Sequence, residues 1–174
     1  MIAHATRSGG IEVREIRPTN ESIGFFYTLM TYYLGFGDGD EYKVMGLAPY
    51  GKPSVDLSKL IAPNESGWNF DWSFVRQKPS LRHPRRKPGS AMTSFYKDVA
   101  HSVQDATERC ILSLMRYVKA GSSEEPNLVF GGGVALNCRA NWEIIKSNMF
   151  ENIYVPPVSS DRGLALGCAY FGAT

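Results

Sequence analysis

Catalytic signatures are scarce in this chain of 174 residues. Cysteine is rare: Cys110, Cys138 and Cys168 are the only three. An odd number at wide spacing excludes a disulfide framework and a CxxC zinc site, so buried free thiols in a reducing cytosol are expected. His4, His83 and His101 form no HxxH or HxxxH pair. That removes the sequence case for a histidine metal site or a Cys–His nucleophile. A GxSxG elbow is missing, and so are the GxGxxG fingerprint and the Lys-Ser/Thr of a P-loop. No apolar run approaches the ~20 residues of a membrane span. The first twenty residues lack the apolar centre of a signal peptide. A cytoplasmic location away from membranes follows as the expectation. There is no internal repeat.

Charge of one sign is also missing overall. The formal net charge is +2, which gives no whole-chain attraction to nucleic acid. Yet Arg76, Lys78, Arg82, Arg85, Arg86 and Lys87 crowd one stretch without an acid among them. Hydrophobic residues make up 43%, enough for the core of one domain or a large piece of one.

What is present reads as α/β. Residues 2–7 and 11–17 flank Ser8-Gly9-Gly10, and the second run alternates apolar and charged residues. A hairpin with a half-buried second strand is predicted, its first strand wanting a further neighbour. Ser22 suits an N-cap, and Ile23, Phe26, Tyr27, Met30 and Leu34 keep helical spacing up to Gly35, a C′ glycine. A short helix is predicted from Asp40 or Glu41 to Leu47, ended by Pro49, Gly51 and Pro53. Residues 54–92 read as an irregular insertion rather than core. From Thr93 to Ala120 a long helix is predicted, with Phe95, Val99, Val103, Ala106, Cys110, Leu114 and Val118 on one face. Beyond it come a strand at 128–130, three glycines, a helix at 136–147, a strand at 152–155, a loop and a closing helix at 164–171. That order implies a parallel layer with right-handed crossovers.

Four constellations could carry chemistry. In the first, a strand meets Gly131, Gly132 and Gly133 and then a helix. Such a turn can cradle phosphate, or it can serve only as a tight strand-to-helix junction. In the second, Asp161 stands between a strand and a helix, where it can meet a metal or ligand hydroxyl, or cap the helix. In the third, Lys43 lies beside acids and glycines. It can pair with phosphate, or be an ordinary exposed lysine. The fourth is the basic stretch 76–87. It can hold nucleic acid, but Pro79, Pro84 and Pro88 and the lack of interleaved aromatics favour a solvated loop.

Taken together the blocks resemble a family. SIGFFYTL at 22–29, YLGF at 33–36, EYKVMGLAPYGKP at 41–53, LVFGGGVALNCRAN at 128–141 and DRGLALGCAY at 161–170 resemble the nodulation-protein and antibiotic O-carbamoyltransferases, in the same order. The resemblance covers nearly the whole chain and is weakest across 54–92.

The resemblance implies half of an actin-like, sugar-kinase-like (ribonuclease H-like) domain, a mixed sheet with helices packed on it. It implies transfer of a carbamoyl group from carbamoyl-adenylate, made from carbamoyl phosphate and ATP by a YrdC-like domain, to a hydroxyl of a sugar-like or natural-product acceptor. By the same resemblance Gly131, Gly132, Gly133 and Asn137 would hold the nucleotide, with Lys43 nearby. Asp161 would contribute to an iron-type divalent metal acting as Lewis acid and template. The family's HHxxHA motif and YrdC-like domain have no counterpart here, and the usual Gly-Asp-Ala-Gly reads Ser160-Asp161-Arg162-Gly163. Arg162 beside this lone carboxylate can disfavour a cation by repulsion or pair with Asp161. The expectation is therefore a fragment, inactive alone, with weak or absent metal binding. The alternatives are a non-catalytic nucleotide-binding module that completes a partner chain, and an RNA-associated relative of the tRNA threonylcarbamoyl-transfer proteins. An exposed sheet edge would favour self-association.

Overall fold

The computed structural model describes residues 1–6, 9–71 and 84–173. The chain is a mixed α/β structure with five α-helices and six short strands among those residues. Strands β1 (Ile2–Ala5) and β2 (Ile11–Glu15) form an antiparallel hairpin. Helix α1 (Ile23–Tyr33) follows, then α2 (Glu41–Leu47) and a 3-10 turn at Ala48–Tyr50. Strands β3 (Ile61–Asn64) and β4 (Gly67–Phe70) make a second hairpin. Helix α3 (Ser94–Gly121) has 28 residues and is about 42 Å long. Strand β5 (Asn127–Val129), helix α4 (Cys138–Lys146), strand β6 (Asn152–Tyr154) and helix α5 (Gly163–Gly172) complete the order.

The expected single mixed sheet is not what the described residues form. They make three separate two-stranded ladders, and only β5–β6 is parallel. Helices do the organising. Val99, Val103, Ala106 and Cys110 of α3 are buried, as their spacing predicts. Gln104, Thr107 and Ile111 form a second buried row on the same helix. Around these rows pack Phe26 and Met30 of α1, its C-cap Leu34, Val44 of α2 and Ile144 of α4.

The cap signals at α1 hold. Ser22 accepts a hydrogen bond from the Phe25 amide at 3.4 Å. At the other end Gly35 has φ +75°, its amide donates to Tyr32 and the Phe36 amide donates to Thr31. This is the Schellman arrangement, in which glycine relieves the left-handed strain. A Cβ on Gly35 would also lie 2.5 Å from the Arg86 carbonyl oxygen.

Several expectations need correction. Residues 54–92 are not simply an irregular insertion: Leu57, Leu60 and Ile61 are buried in the core, and β3–β4 packs on α3. The basic stretch is not simply a solvated loop. Arg76, Lys78, Arg82 and His83 lie outside the described residues, but Arg85 and Arg86 hold the end of α1. Arg85 Nε donates to the Tyr32 carbonyl at 2.7 Å, and Arg86 Nε donates to the Leu34 carbonyl at 2.6 Å. Arg86 is buried and also donates to the Ser90 carbonyl. Two cations at a helix C-terminus satisfy orphan carbonyls and oppose the helix dipole.

The thiols are free, but only Cys110 is buried; Cys138 and Cys168 are exposed. Burial pushes the Cys110 thiol up to about 12, so it stays protonated. The alternating face of β2 is uncovered too, with Ile11 and Val13 exposed. Helix α5 buries no residue, although it is apolar on every side. Among the described residues no helix is long and apolar enough to cross a membrane.

Candidate functional site

A cleft of about 670 Å³ opens where α1, α2, the glycine turn and the loop after β6 converge. Each block contributes a few groups. From α1 come Gly24, Tyr27 and Thr28; from α2 come Glu41, Tyr42 and Met45. The glycine turn offers Gly133, Val134, Leu136 and Asn137, and the last loop offers Val158, Ser160 and Arg162.

Local sequence explains the geometry of the turn. Strand β5 continues its ladder one step further, the Phe130 amide donating to the Tyr154 carbonyl at 3.0 Å. Gly132 then takes φ +94° and ψ 168°, a region that is essentially closed to side-chain-bearing residues. Its amide donates to the Ser159 carbonyl at 2.7 Å, which ties the turn to the 157–162 loop. A 3-10 turn over Gly133–Leu136 intervenes before α4, so the glycines do not open that helix directly.

Asn137 caps α4 instead. Its Oδ1 accepts from the Ala140 amide at 3.1 Å and from Gln104 Nε2 at 3.0 Å. Its Nδ2 donates back to Gln104 Oε1, also at 3.0 Å. Tyr27 donates its hydroxyl to the same Gln104 oxygen at 2.8 Å. Burial, and then the Glu108 charge, raise the Tyr27 pKa well above the ordinary phenol value, so this hydroxyl remains a donor. On the opposite wall Thr28 donates to Glu41 Oε1 at 2.7 Å.

The structure brings some predicted residues together and separates others. Gly133 and Asn137 line the cleft; Gly131 and Gly132 are not among its lining residues. Lys43 is on α2 but outside the lining, paired with Asp40 at 2.8 Å. The Lys43 ammonium, helped by the Gly37 amide, holds the Asp40 carboxyl below its usual range, while Asp40 raises Lys43. Asp161 lies in the adjoining open depression with Pro156, Leu164 and Phe171. It does not cap α5, whose N-cap is Arg162 with no side-chain bond.

Among the described residues no group of three or more His, Cys, Asp and Glu could hold a metal ion. A single exposed carboxylate next to an arginine does not fit one. Sequence reasoning missed Tyr27, Glu41 and Gln104 as site-forming residues. A polar Gln104 within the buried faces of α3 was the available signal.

A glycine turn after a parallel strand, facing a second loop at the same end of the ladder, is the kind of place at which open α/β sheets receive ligands. Residues 5–170 match the model described as Carbamoyltransferase N-terminus, and the chain belongs to that family. It is 36% identical over 166 residues to nodulation protein NolNO of Sinorhizobium fredii, covering 92% of this chain and 24% of that relative. It is 35% identical over 158 residues to nodulation protein NolO of Bradyrhizobium diazoefficiens, covering 87% of this chain and 28% of that relative. An uncharacterized protein of Synechocystis is 37% identical over 164 residues, covering 85% and 26% respectively. The chain thus spans about a quarter of the length of these curated relatives.

Proposed function

We propose that this chain is the nucleotide-holding part of an O-carbamoyltransferase, one half of an actin-like domain. One observation carries the reading: family blocks far apart in sequence meet around one cleft, Gly133 and Asn137 on one side and Ser160 and Arg162 on another. Arg162 gives the cleft a fixed positive charge for a phosphate, and Gly133 lets main chain approach it closely. Glu41, Thr28 and Tyr42 offer polar contacts for a ribose or an acceptor hydroxyl at the α1–α2 wall.

In the parent reaction an acceptor oxygen attacks the carbamoyl carbon of carbamoyl-adenylate. A new C–O bond forms, the bond from that carbon to the phosphate oxygen breaks, AMP leaves with the electron pair, and the hydroxyl proton passes to a base or solvent. This chain's part is to hold the adenylate phosphate and to fix its orientation. No step is assigned to a metal, since the described residues make no site for one.

The portions of the relatives beyond the matched quarter are proposed to supply the acylating chemistry and the rest of the cleft. The apolar, uncovered α5 favours a companion reading, in which this module docks on a partner segment or chain. Recognition of RNA is disfavoured, because Arg85 and Arg86 already serve the C-terminus of α1.

Calorimetric titration with AMP and with ATP, each with and without ferrous iron, tests the proposal. Binding of both nucleotides without dependence on iron is expected. No heat up to millimolar nucleotide would remove the reading. Carbamoylation of any sugar by the purified chain alone would overturn the claim that it holds the nucleotide without completing the reaction.

A further inference from the structure

We propose that Gln104 is a positioning residue for the cleft: its side-chain amide pairs reciprocally with that of Asn137, so that Asn137 offers a ligand only N–H and never its oxygen. The inference rests on the nucleotide reading above and deepens it.

A count of donors and acceptors carries the argument. Asn137 Oδ1 has two lone pairs, and both are taken, by the Ala140 amide and by Gln104 Nε2. Its Nδ2 has two protons. One goes to Gln104 Oε1; the second makes no hydrogen bond among the described residues, although the Tyr27 hydroxyl lies near it. Gln104 is full as well. Its oxygen accepts from Tyr27 and Asn137, and its nitrogen donates to Asn137 and to Glu108 Oε1 at 2.8 Å.

Neither amide can be turned over. Flipping Asn137 alone sets oxygen against oxygen at Gln104 and an NH2 group against the Ala140 amide. Flipping both aims the Gln104 oxygen at the Glu108 carboxylate and leaves the cap clash in place. Gln104 is 3% exposed, so water cannot replace a lost partner. Asn137 lines the cleft, whereas Gln104 does not. Gln104 therefore acts through Asn137, and it selects a ligand that places a hydrogen-bond acceptor at this point, as phosphate or ribose oxygens do.

The test uses the whole chain with Gln104→Met, Tyr27→Phe and Asn137→Asp. Two readouts are taken: exchange of the Asn137 side-chain amide protons by NMR without nucleotide, and AMP affinity by calorimetry. In Gln104→Met the Asn137 protons are expected to exchange at least about tenfold faster and AMP to bind about tenfold more weakly. Tyr27→Phe leaves the amide pair intact and should give a smaller change in the same direction. This conservative variant keeps the test available if Gln104→Met does not fold. Asn137→Asp still accepts the cap bond but cannot donate and sets an oxygen against Gln104 Oε1, so AMP binding is expected to fall at least about tenfold.

Unchanged Asn137 exchange in both folded Gln104→Met and Tyr27→Phe overturns the positioning role. So does unchanged AMP affinity in Asn137→Asp. If the unaltered chain binds no AMP, the nucleotide reading has failed, and this role fails with it. If the unaltered chain binds AMP and the variants bind it equally, only the role of Gln104 is lost.

Discussion

Replacing Gly133 by alanine separates a ligand cradle from a folding device. A Cβ built on Gly133 meets no heavy atom within 4 Å, and its φ is not positive. The folded protein therefore has room for the methyl group. Alanine at such a position removes backbone freedom from the unfolded chain and is expected to stabilise by about 0.4–1 kcal/mol. Yet Gly133 lines the cleft. If main chain there approaches a phosphate to hydrogen-bond distance, the added methyl group must push the ligand away. The loss of one charge-assisted hydrogen bond, about 1.5–3 kcal/mol, corresponds to roughly ten- to hundredfold weaker binding. Thermal unfolding and AMP calorimetry on the same Gly133→Ala sample give both numbers. Equal or higher stability with weakened AMP binding is expected. Equal stability with unaltered AMP binding refutes the reasoning, because the turn would then be a junction and nothing more.

Three further outcomes are expected. Gly132→Ala should destabilise by about 1–3 kcal/mol in thermal melts, since φ +94° with ψ 168° strains any residue with a Cβ even where space is open; an unchanged melting temperature would contradict this. Arg86→Met should cost about 2–3 kcal/mol in a denaturant titration, because the buried guanidinium's bonds to the Leu34 and Ser90 carbonyls are lost; a change within experimental error would refute the capping role. Asp98 accepts from Ser54 and from the Lys52 amide, and these bonds hold its carboxyl below the ordinary 3.8. A depressed carboxylate stabilises fully above that value and loses its contribution as pH falls through the lowered pKa. The stability gap between the unaltered chain and Asp98→Ala should therefore be constant near neutrality and shrink below about pH 3.8; a gap independent of acid would exclude the anchor.

Helices were legible because their signals are local. Ser22, Gly35 and the three- and four-residue steps along α3 depend only on chain geometry, and the structure repeats them. The β3–β4 hairpin was hidden by Pro63, which demotes a run of strand-like residues unless the strand lies at an edge. Arg85 and Arg86 read as surface charge because nothing in their own stretch shows that they reach the carbonyls of residues 32 and 34. The period-two pattern of β2 gave the strand but not its burial, since a pattern cannot say whether the partner that would cover it is present. Within the candidate site the glycine turn was visible as a strand-to-helix junction. The Tyr27–Gln104–Asn137 network was not, because it joins three elements separated by dozens of residues and exists only once they pack. Asp161 illustrates the opposite case. Its place after a strand suggested a metal ligand or a cap; it does not cap α5, and it lies in the neighbouring depression.

The central claim is that the cleft between the glycine turn and the loop after β6 receives an adenine nucleotide. A crystal structure of the chain grown with saturating AMP measures this directly. The account predicts the phosphate between Gly133 and Arg162, with an oxygen about 2.7–3.2 Å from a main-chain or guanidinium nitrogen. An empty cleft at saturating AMP, or nucleotide bound elsewhere on the molecule, would contradict it.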